Sequence, residues 1–174
     1  TLRTLDHRDL SIPIEEVRSY LVARYEERFD VHPRKFEEVV ASVFRGLGYT
    51  ANVTAYSGDG GIDAILEGPN GSTVGVQVKR YRGKIGVAAI RELTGALLIG
   101  GVTKGIFVTT STFQSGAAPT AAASGERGYP IELYDAESFF DALKFSQLSS
   151  YQSGELPKPW GRRAHPKTDY YTQE

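Results

Sequence analysis

The run Gly58-Asp59-Gly60-Gly61-Ile62-Asp63, a turn at Gly68-Pro69-Asn70-Gly71, and the segment Val74-Gly75-Val76-Gln77-Val78-Lys79-Arg80-Tyr81 decide the reading of this chain. The turn is a strong hairpin signal, so the segments before and after it are expected to run side by side as strands. Side chains two apart on a strand share a face, which puts Gln77 and Lys79 together and Val76, Val78 and Arg80 on the other side. Asp63 falls near the start of the preceding strand. A carboxylate, a second oxygen ligand and a lysine converging at a strand pair form a compact site for a divalent cation and a phosphate. That combination points to phosphodiester chemistry.

Hydrolysis of a phosphodiester needs a positioned water and a sink for charge on the phosphoryl and leaving oxygens. A bound Mg²⁺ can polarise the phosphate and acidify the water. On this reading Asp63 is its anionic anchor and Gln77 adds a neutral carbonyl oxygen. Lys79 orients the water or stabilises the transition state. Gln77 brings one negative charge fewer than a carboxylate would, which weakens metal binding, and Glu37 on a nearby predicted helix is the leading extra carboxylate.

Working outward, residues 11–30 read as a helix capped at Ser11 with Pro13 in its first turn. A second helix is expected from Pro33 to Leu47, with Phe36, Val39, Val40, Val43, Phe44 and Leu47 as its apolar face and Gly48 as its stop. Tyr49–Tyr56, Ile62–Glu67 and Thr73–Tyr81 read as three largely antiparallel strands. Helices over Gly86–Ile99, Ala117–Ser124 and Ala136–Phe145 then alternate with strands over Lys104–Thr110 and Ile131–Tyr134. This alternation predicts an α/β layered fold with a mixed sheet. Beyond Ser146 the composition turns to Ser, Gln, Pro, Tyr and charge, and 146–174 reads as a tail or linker.

The chain has 174 residues, enough for one core-bearing domain with appendages. It has no cysteine, which excludes disulfides and thiolate catalysis. His7, His32 and His165 are too scattered for a structural zinc site and read as incidental, so any metal would be a hard cation on oxygen ligands. No apolar run approaches a membrane span and no signal peptide is recognisable, which leads to the expectation of a cytoplasmic protein without membrane contact. The absence of methionine suggests a piece of a longer protein. Net charge is −1, yet residues 75–105 hold six basic side chains against one acidic. A basic stripe beside the site is therefore expected.

Six blocks in order carry a resemblance to a known family. They are Phe36-Glu37-x-x-Val40, Leu47-Gly48-Tyr49, Gly58 to Asp63, Gln77 to Tyr81, Ile90-Arg91-Glu92-Leu93, and Lys104 to Ser111. Together they resemble the catalytic domain of Mrr-type restriction endonucleases, a branch of the PD-(D/E)xK nuclease superfamily, over roughly residues 33–135. The resemblance implies a restriction-endonuclease-like αβββαβ core and Mg²⁺-dependent cleavage of double-stranded DNA, with Mn²⁺ as a substitute. By position it carries over Asp63, Gln77 and Lys79 as the catalytic trio and Glu37 as the helix carboxylate. In this branch Gln commonly replaces the acidic residue of the half-motif. Many relatives restrict methylated or otherwise modified foreign DNA through a separate target-recognition domain. The domain reading is an N-terminal helical extension over 1–32, the catalytic domain over 33–145 and the tail over 146–174.

Blander readings stand beside these. Gly58–Gly61 taken alone is a tight loop that Asp59 shapes. Lys79–Lys84 is a solvated charge run, or, beside a phosphate site, a set of backbone contacts in which Arg80, Arg82 and Lys84 position DNA without reading bases. Ser111 reads as a helix cap, although hydroxyls at 109–111 could hold phosphate. Tyr56 and Tyr81 read as packing residues, Glu38 as solvent-facing, and Trp160, Arg162 and Arg163 as a docking segment.

The leading expectation is a Mg²⁺-dependent DNA endonuclease domain from a restriction or phage-defence protein, acting as a homodimer to cut both strands. Two alternatives are a DNA-binding module of the same fold with weak or no catalysis, and an RNA or junction-specific nuclease.

Overall fold

A computed structural model of the chain describes residues 5, 6, 9–54 and 61–149. Five strands form one mixed sheet in the order β1 (Thr50–Val53), β2 (Ala64–Glu67), β3 (Thr73–Lys79), β4 (Gly105–Thr109) and β5 (Ile131–Tyr134). The first three pair antiparallel, while β3–β4 and β4–β5 pair parallel. The parallel pairs are joined by α3 (Val87–Gly100) and α4 (Ala117–Glu126), because parallel neighbours require a crossover connection.

Alternation along the strands divides the core between two faces. Val74, Val76, Ile106 and Val108 face one cluster with α1 (Ile14–Ala23), α2 (Pro33–Gly46) and α5 (Ala136–Ser149). Phe107, Ile131 and the partly buried Ile65 and Leu133 face the other, under α3 and α4. Phe36 of α2 and Phe139 of α5 meet edge to face at 5.4 Å in the first layer. Each such fully buried side chain contributes on the order of 1.5–3 kcal/mol by removal from water.

Helix α2 follows from its sequence. His32 caps it by accepting the Arg34 N–H, and Pro33 fills its first position. Gly48, at φ +96°, reverses the chain into β1 as a left-handed residue can. His32 thus has a structural task and is not incidental. On the opposite layer Gly75 and Gly105 are register partners of β3 and β4. A Cβ on either would stand 2.8 Å or 2.7 Å from a methyl of Leu97, so the pair forms a flat floor on which α3 lies close to the sheet.

The first expected helix is divided. It begins at Ile14 after Pro13, and Ser11 is no cap: both its N–H and its hydroxyl donate to the Asp9 carboxylate. Arg24 breaks the helix, and Tyr25–Phe29 continue as a 3-10 turn. The ring of Tyr25 packs edge-on to Phe140 of α5 at 4.7 Å, and the Arg28 guanidinium lies over the Tyr25 and Phe29 rings. Tertiary contact therefore overrides the helical pattern. Val17, Leu21 and Val31 belong to the same core as α2 and α5, so residues before Pro33 help build the main layer.

At the other end α5 runs on to Ser149, past the composition change at Ser146. Ser146 is buried and accepts a 2.7 Å hydrogen bond from Arg18. Gly58, Asp59, Gly60, Tyr56, His7, His165 and the segment bearing Trp160, Arg162 and Arg163 lie outside the described residues. Among the described residues no helix is long and apolar enough to cross a membrane.

Candidate active site

The last β2–β3 register pair is Ala64↔Val76, and Asp63 sits immediately beyond it. Its N–H donates to Val76 O at 2.7 Å. Its Oδ2 accepts the N–H of Val78, also at 2.7 Å. One carboxylate oxygen is thereby fixed to the backbone between Gln77 and Lys79. The other has no hydrogen-bond partner among the described residues.

Gln77 is half-buried, and its Oε1 is buried without any hydrogen-bond partner. A buried acceptor left unpaired is costly, so such an atom implies a missing partner. A hard cation is a fitting one, since an amide oxygen and a carboxylate are its ordinary ligands. Lys79, two residues on, is exposed, with its Nζ 5.9 Å from the ring centre of Tyr81. Tyr81 is itself 51% exposed and so is no core residue.

Glu37 reaches the same neighbourhood from α2. Its Oε2 lies 2.9 Å from Nη1 of Arg34, one turn earlier, and that nitrogen also donates to Thr54 O at 3.0 Å. Thr54 in turn donates through its N–H and its hydroxyl to the carbonyl oxygen of Asp63. Arg34 thus ties α2 to the end of β1 and, through Thr54, to Asp63. Sequence reasoning did not identify Arg34. The available signal was an arginine three residues before Glu37 in the first helical turn.

Burial pushes the Asp63 carboxyl above its ordinary range, against the opposing effects of the Val78 N–H and the Arg34 charge. Burial also raises Glu37; the Arg34 hydrogen bond opposes this and the Asp63 charge adds to it. Two partly desolvated carboxylates that repel each other form a site that gains by taking a cation. Among the described residues no three His, Cys, Asp or Glu side chains cluster as metal ligands.

The basic residues separate. The Arg80 guanidinium donates to Phe29 O, and its Nε is buried without a partner. Arg82 is exposed, 3.1 Å from Asp30, with its guanidinium over the Phe29 ring. Lys84 is exposed. Lys104 lies at the far end of the sheet, beside Gly75, and pairs with Glu132 at 3.0 Å. The expected stripe is therefore not continuous.

The hydroxyls after β4 serve the backbone. Thr110, fully buried, accepts from Tyr81 N and donates to Tyr81 O. Ser111 donates to Arg82 O and caps no helix, since α4 starts at Ala117 after Gly116. Glu38 pairs with the buried Lys35 at 3.0 Å.

A mixed five-stranded sheet between helical layers is a restriction-endonuclease-like fold. The structure of restriction endonuclease FokI bound to DNA matches 86% of this chain and 32% of its own length, with a TM-score of 0.55 at 16% identity. A second structure of restriction endonuclease FokI matches with a TM-score of 0.53 at 16% identity, over 86% of this chain and 30% of its own length. At sequence level, the restriction endonuclease family Mrr_cat matches residues 29–143, and the chain belongs to that family. The type IV methyl-directed restriction enzyme EcoKMrr of Escherichia coli K12 is 34% identical over 99 residues, 53% of this chain and 33% of that protein. The uncharacterized protein y4cE of Sinorhizobium fredii NGR234 is 34% identical over 103 residues, 56% of this chain and 26% of that protein. The matched region thus spans a third or less of either curated relative.

Proposed function

We propose that the chain is the cleavage domain of a Mg²⁺-dependent DNA endonuclease, with Mn²⁺ able to substitute. The observation that carries this reading is the buried, unpartnered Gln77 Oε1 one residue from the Val78 N–H that fixes Asp63. Asp63 and Gln77 would hold the ion, and Glu37 adds negative charge from the helix side. The ion supplies charge neutralisation at the phosphate and a more acidic water.

The protein groups do the rest. Fixing Oδ2 of Asp63 to Val78 holds the carboxylate in one orientation, and its other oxygen would be the one available as a ligand. The Lys79 ammonium orients the attacking water and stabilises negative charge on the phosphoryl oxygens. Water adds its oxygen to phosphorus, the P–O bond to the leaving sugar oxygen breaks, and a proton from that water ends on the leaving oxygen. Arg82 and Lys84, both exposed, fit contacts to neighbouring phosphates, with Arg80 bracing the segment beneath them.

One such site cuts one strand, so cleavage of a duplex calls for two copies, most simply related by two-fold symmetry. Since the shared region is 33% of one matched relative and 26% of the other, a separate target-recognition domain fits the same reading. Membership of the restriction endonuclease family supports a role in restriction of foreign or modified DNA, which would be exercised in the cytoplasm where such DNA arrives. The neutral Gln77 favours one alternative, a DNA-binding module with weak or no catalysis.

Supercoiled plasmid, methylated and unmethylated, is to be incubated with the chain and Mg²⁺ or Mn²⁺, beside Asp63→Ala and Lys79→Ala. Metal-dependent nicking or linearisation lost in both variants is the expected result. Retained DNA binding with no cleavage of either substrate would instead support the binding module. Cleavage of RNA or branched junctions in preference to duplex DNA would move the substrate assignment.

A further inference from the structure

Arg34 stands where helix electrostatics disfavour it. The first turn of α2 holds Arg34 and Lys35 and no acidic residue. The positive end of a helix dipole makes a cation there unfavourable. Lys35 is balanced by Glu38 and by Leu10 O. Arg34 instead turns its charge toward the site: one nitrogen serves both Glu37 Oε2, at 2.9 Å, and Thr54 O, at 3.0 Å. Its side chain is 27% exposed and that of Glu37 only 15%, so the pair is held in a partly desolvated place where charge interactions are strong.

Part of the negative charge of the centre is then already neutralised. Asp63 and Glu37 are its two carboxylates, the Arg34 charge acts on both, and Gln77 carries none. Two divalent ions about 3.5–4 Å apart, as in two-metal phosphodiesterases, need several carboxylates to hold and bridge them. Here one of the two carboxylates is already taken by a guanidinium.

We infer that Arg34 is the built-in second cation of this centre, so that the site takes a single divalent ion and Glu37 stays bonded to Arg34. The inference rests on the metal-dependent nuclease reading and narrows it. Arg34 is a positioning residue: it acts through Glu37 and Thr54 on the ion-binding end of β2, and touches no reacting atom.

The test is a titration of the 174-residue chain with Mn²⁺ alone, read by calorimetry and by the paramagnetic resonance signal of the free ion. Wild type should bind one Mn²⁺ per chain, and Asp63→Asn should abolish it. Arg34→Gln should expose Glu37 and raise the stoichiometry to two, with the second ion the weaker. Arg34→Lys should return it to one, and Arg34→Gln with Glu37→Gln should lose the second ion. Glu37→Gln alone should leave the single ion in place, a result that does not depend on whether Arg34→Gln folds.

Two ions on wild type, one ion on folded Arg34→Gln, or loss of the single ion in Glu37→Gln would each overturn the inference while leaving the nuclease reading standing. No Asp63-dependent Mn²⁺ binding by wild type would overturn both.

Discussion

The Asp63 carboxylate accepts the backbone N–H of Val78 at 2.7 Å, so the side chain that ends one strand is stitched into the middle of the next. The stitch falls between Gln77 and Lys79, whose side chains project from the two flanking positions of β3. One short hydrogen bond therefore sets the relative placement of all three groups. It also partly offsets the burial that raises the Asp63 carboxyl.

That raised carboxyl makes stability depend on pH. Since the folded value lies above the unfolded one, the contribution of this group is fully present below the ordinary carboxylate range and is lost as pH rises through the folded value. Asp63→Asn keeps an oxygen for Val78 and carries no charge. Without metal it should melt above wild type at neutral pH, with the gain shrinking as pH falls into the ordinary carboxylate range. Its cleavage should fall by at least about 10²-fold. A melting difference that is the same at acidic and neutral pH would refute the electrostatic account.

Lys79→Ala should separate binding from chemistry. The ammonium is exposed and makes no ion pair among the described residues, so fold and Mn²⁺ affinity should be kept. Cleavage should drop by roughly 10²–10³-fold, as when a transition-state donor is removed. Parallel metal titration and plasmid nicking decide it; loss of metal binding would reassign Lys79 to site assembly.

Gln77→Glu adds a charge where an unpartnered oxygen now lies. Metal affinity tracks the charge of the ligands, so half-saturation by Mg²⁺ should come at about tenfold lower concentration. The metal-free variant should be less stable than wild type, because a third carboxylate joins two that already repel each other. Unchanged metal affinity would take Gln77 out of the ligand set.

Arg82→Ala and Lys84→Ala should each weaken DNA binding across all sequences and lower the salt slope by about one phosphate contact. Arg80→Ala should behave differently. Its guanidinium holds Phe29 O, so the loss should appear first in thermal stability. A salt slope reduced by Arg80→Ala with stability intact would place Arg80 on the DNA instead.

Thr110→Val removes the hydroxyl that bridges the N–H and carbonyl of Tyr81, with shape nearly conserved. Loss of hydrogen bonds to such part-buried backbone groups costs about 0.5–1.5 kcal/mol each. Denaturant unfolding should show that loss, together with faster amide exchange at residues 80–82. An unchanged midpoint would mean that water replaces the hydroxyl without cost.

Much of this was legible from residue order because local signals agreed. Pro33 and Gly48 bound α2, the 68–71 turn sets the β2–β3 hairpin, and strand alternation puts Gln77 with Lys79 and Val76 with the core. Such features depend on residues close in sequence, whose dihedral preferences and periodicity act before any tertiary contact forms. The same logic failed at Ser11 and over 25–29. There the Asp9 carboxylate and the Phe140 ring supplied better partners than a continued helix.

The sequence by itself determined the order of elements and the mixed α/β class, through local periodicity and turn signals, and the spacing along one hairpin brought Asp63 near Gln77 and Lys79. Tertiary structure alone decided that Arg34 reaches Thr54 and through it Asp63, that Lys104 stands at the far end of the sheet, and that Arg80 braces Phe29 while Arg82 and Lys84 face solvent. Which charges meet, and which remain free for a ligand, depends on burial and on distances between segments far apart in the chain. Those quantities come into being only when the helices close over the sheet.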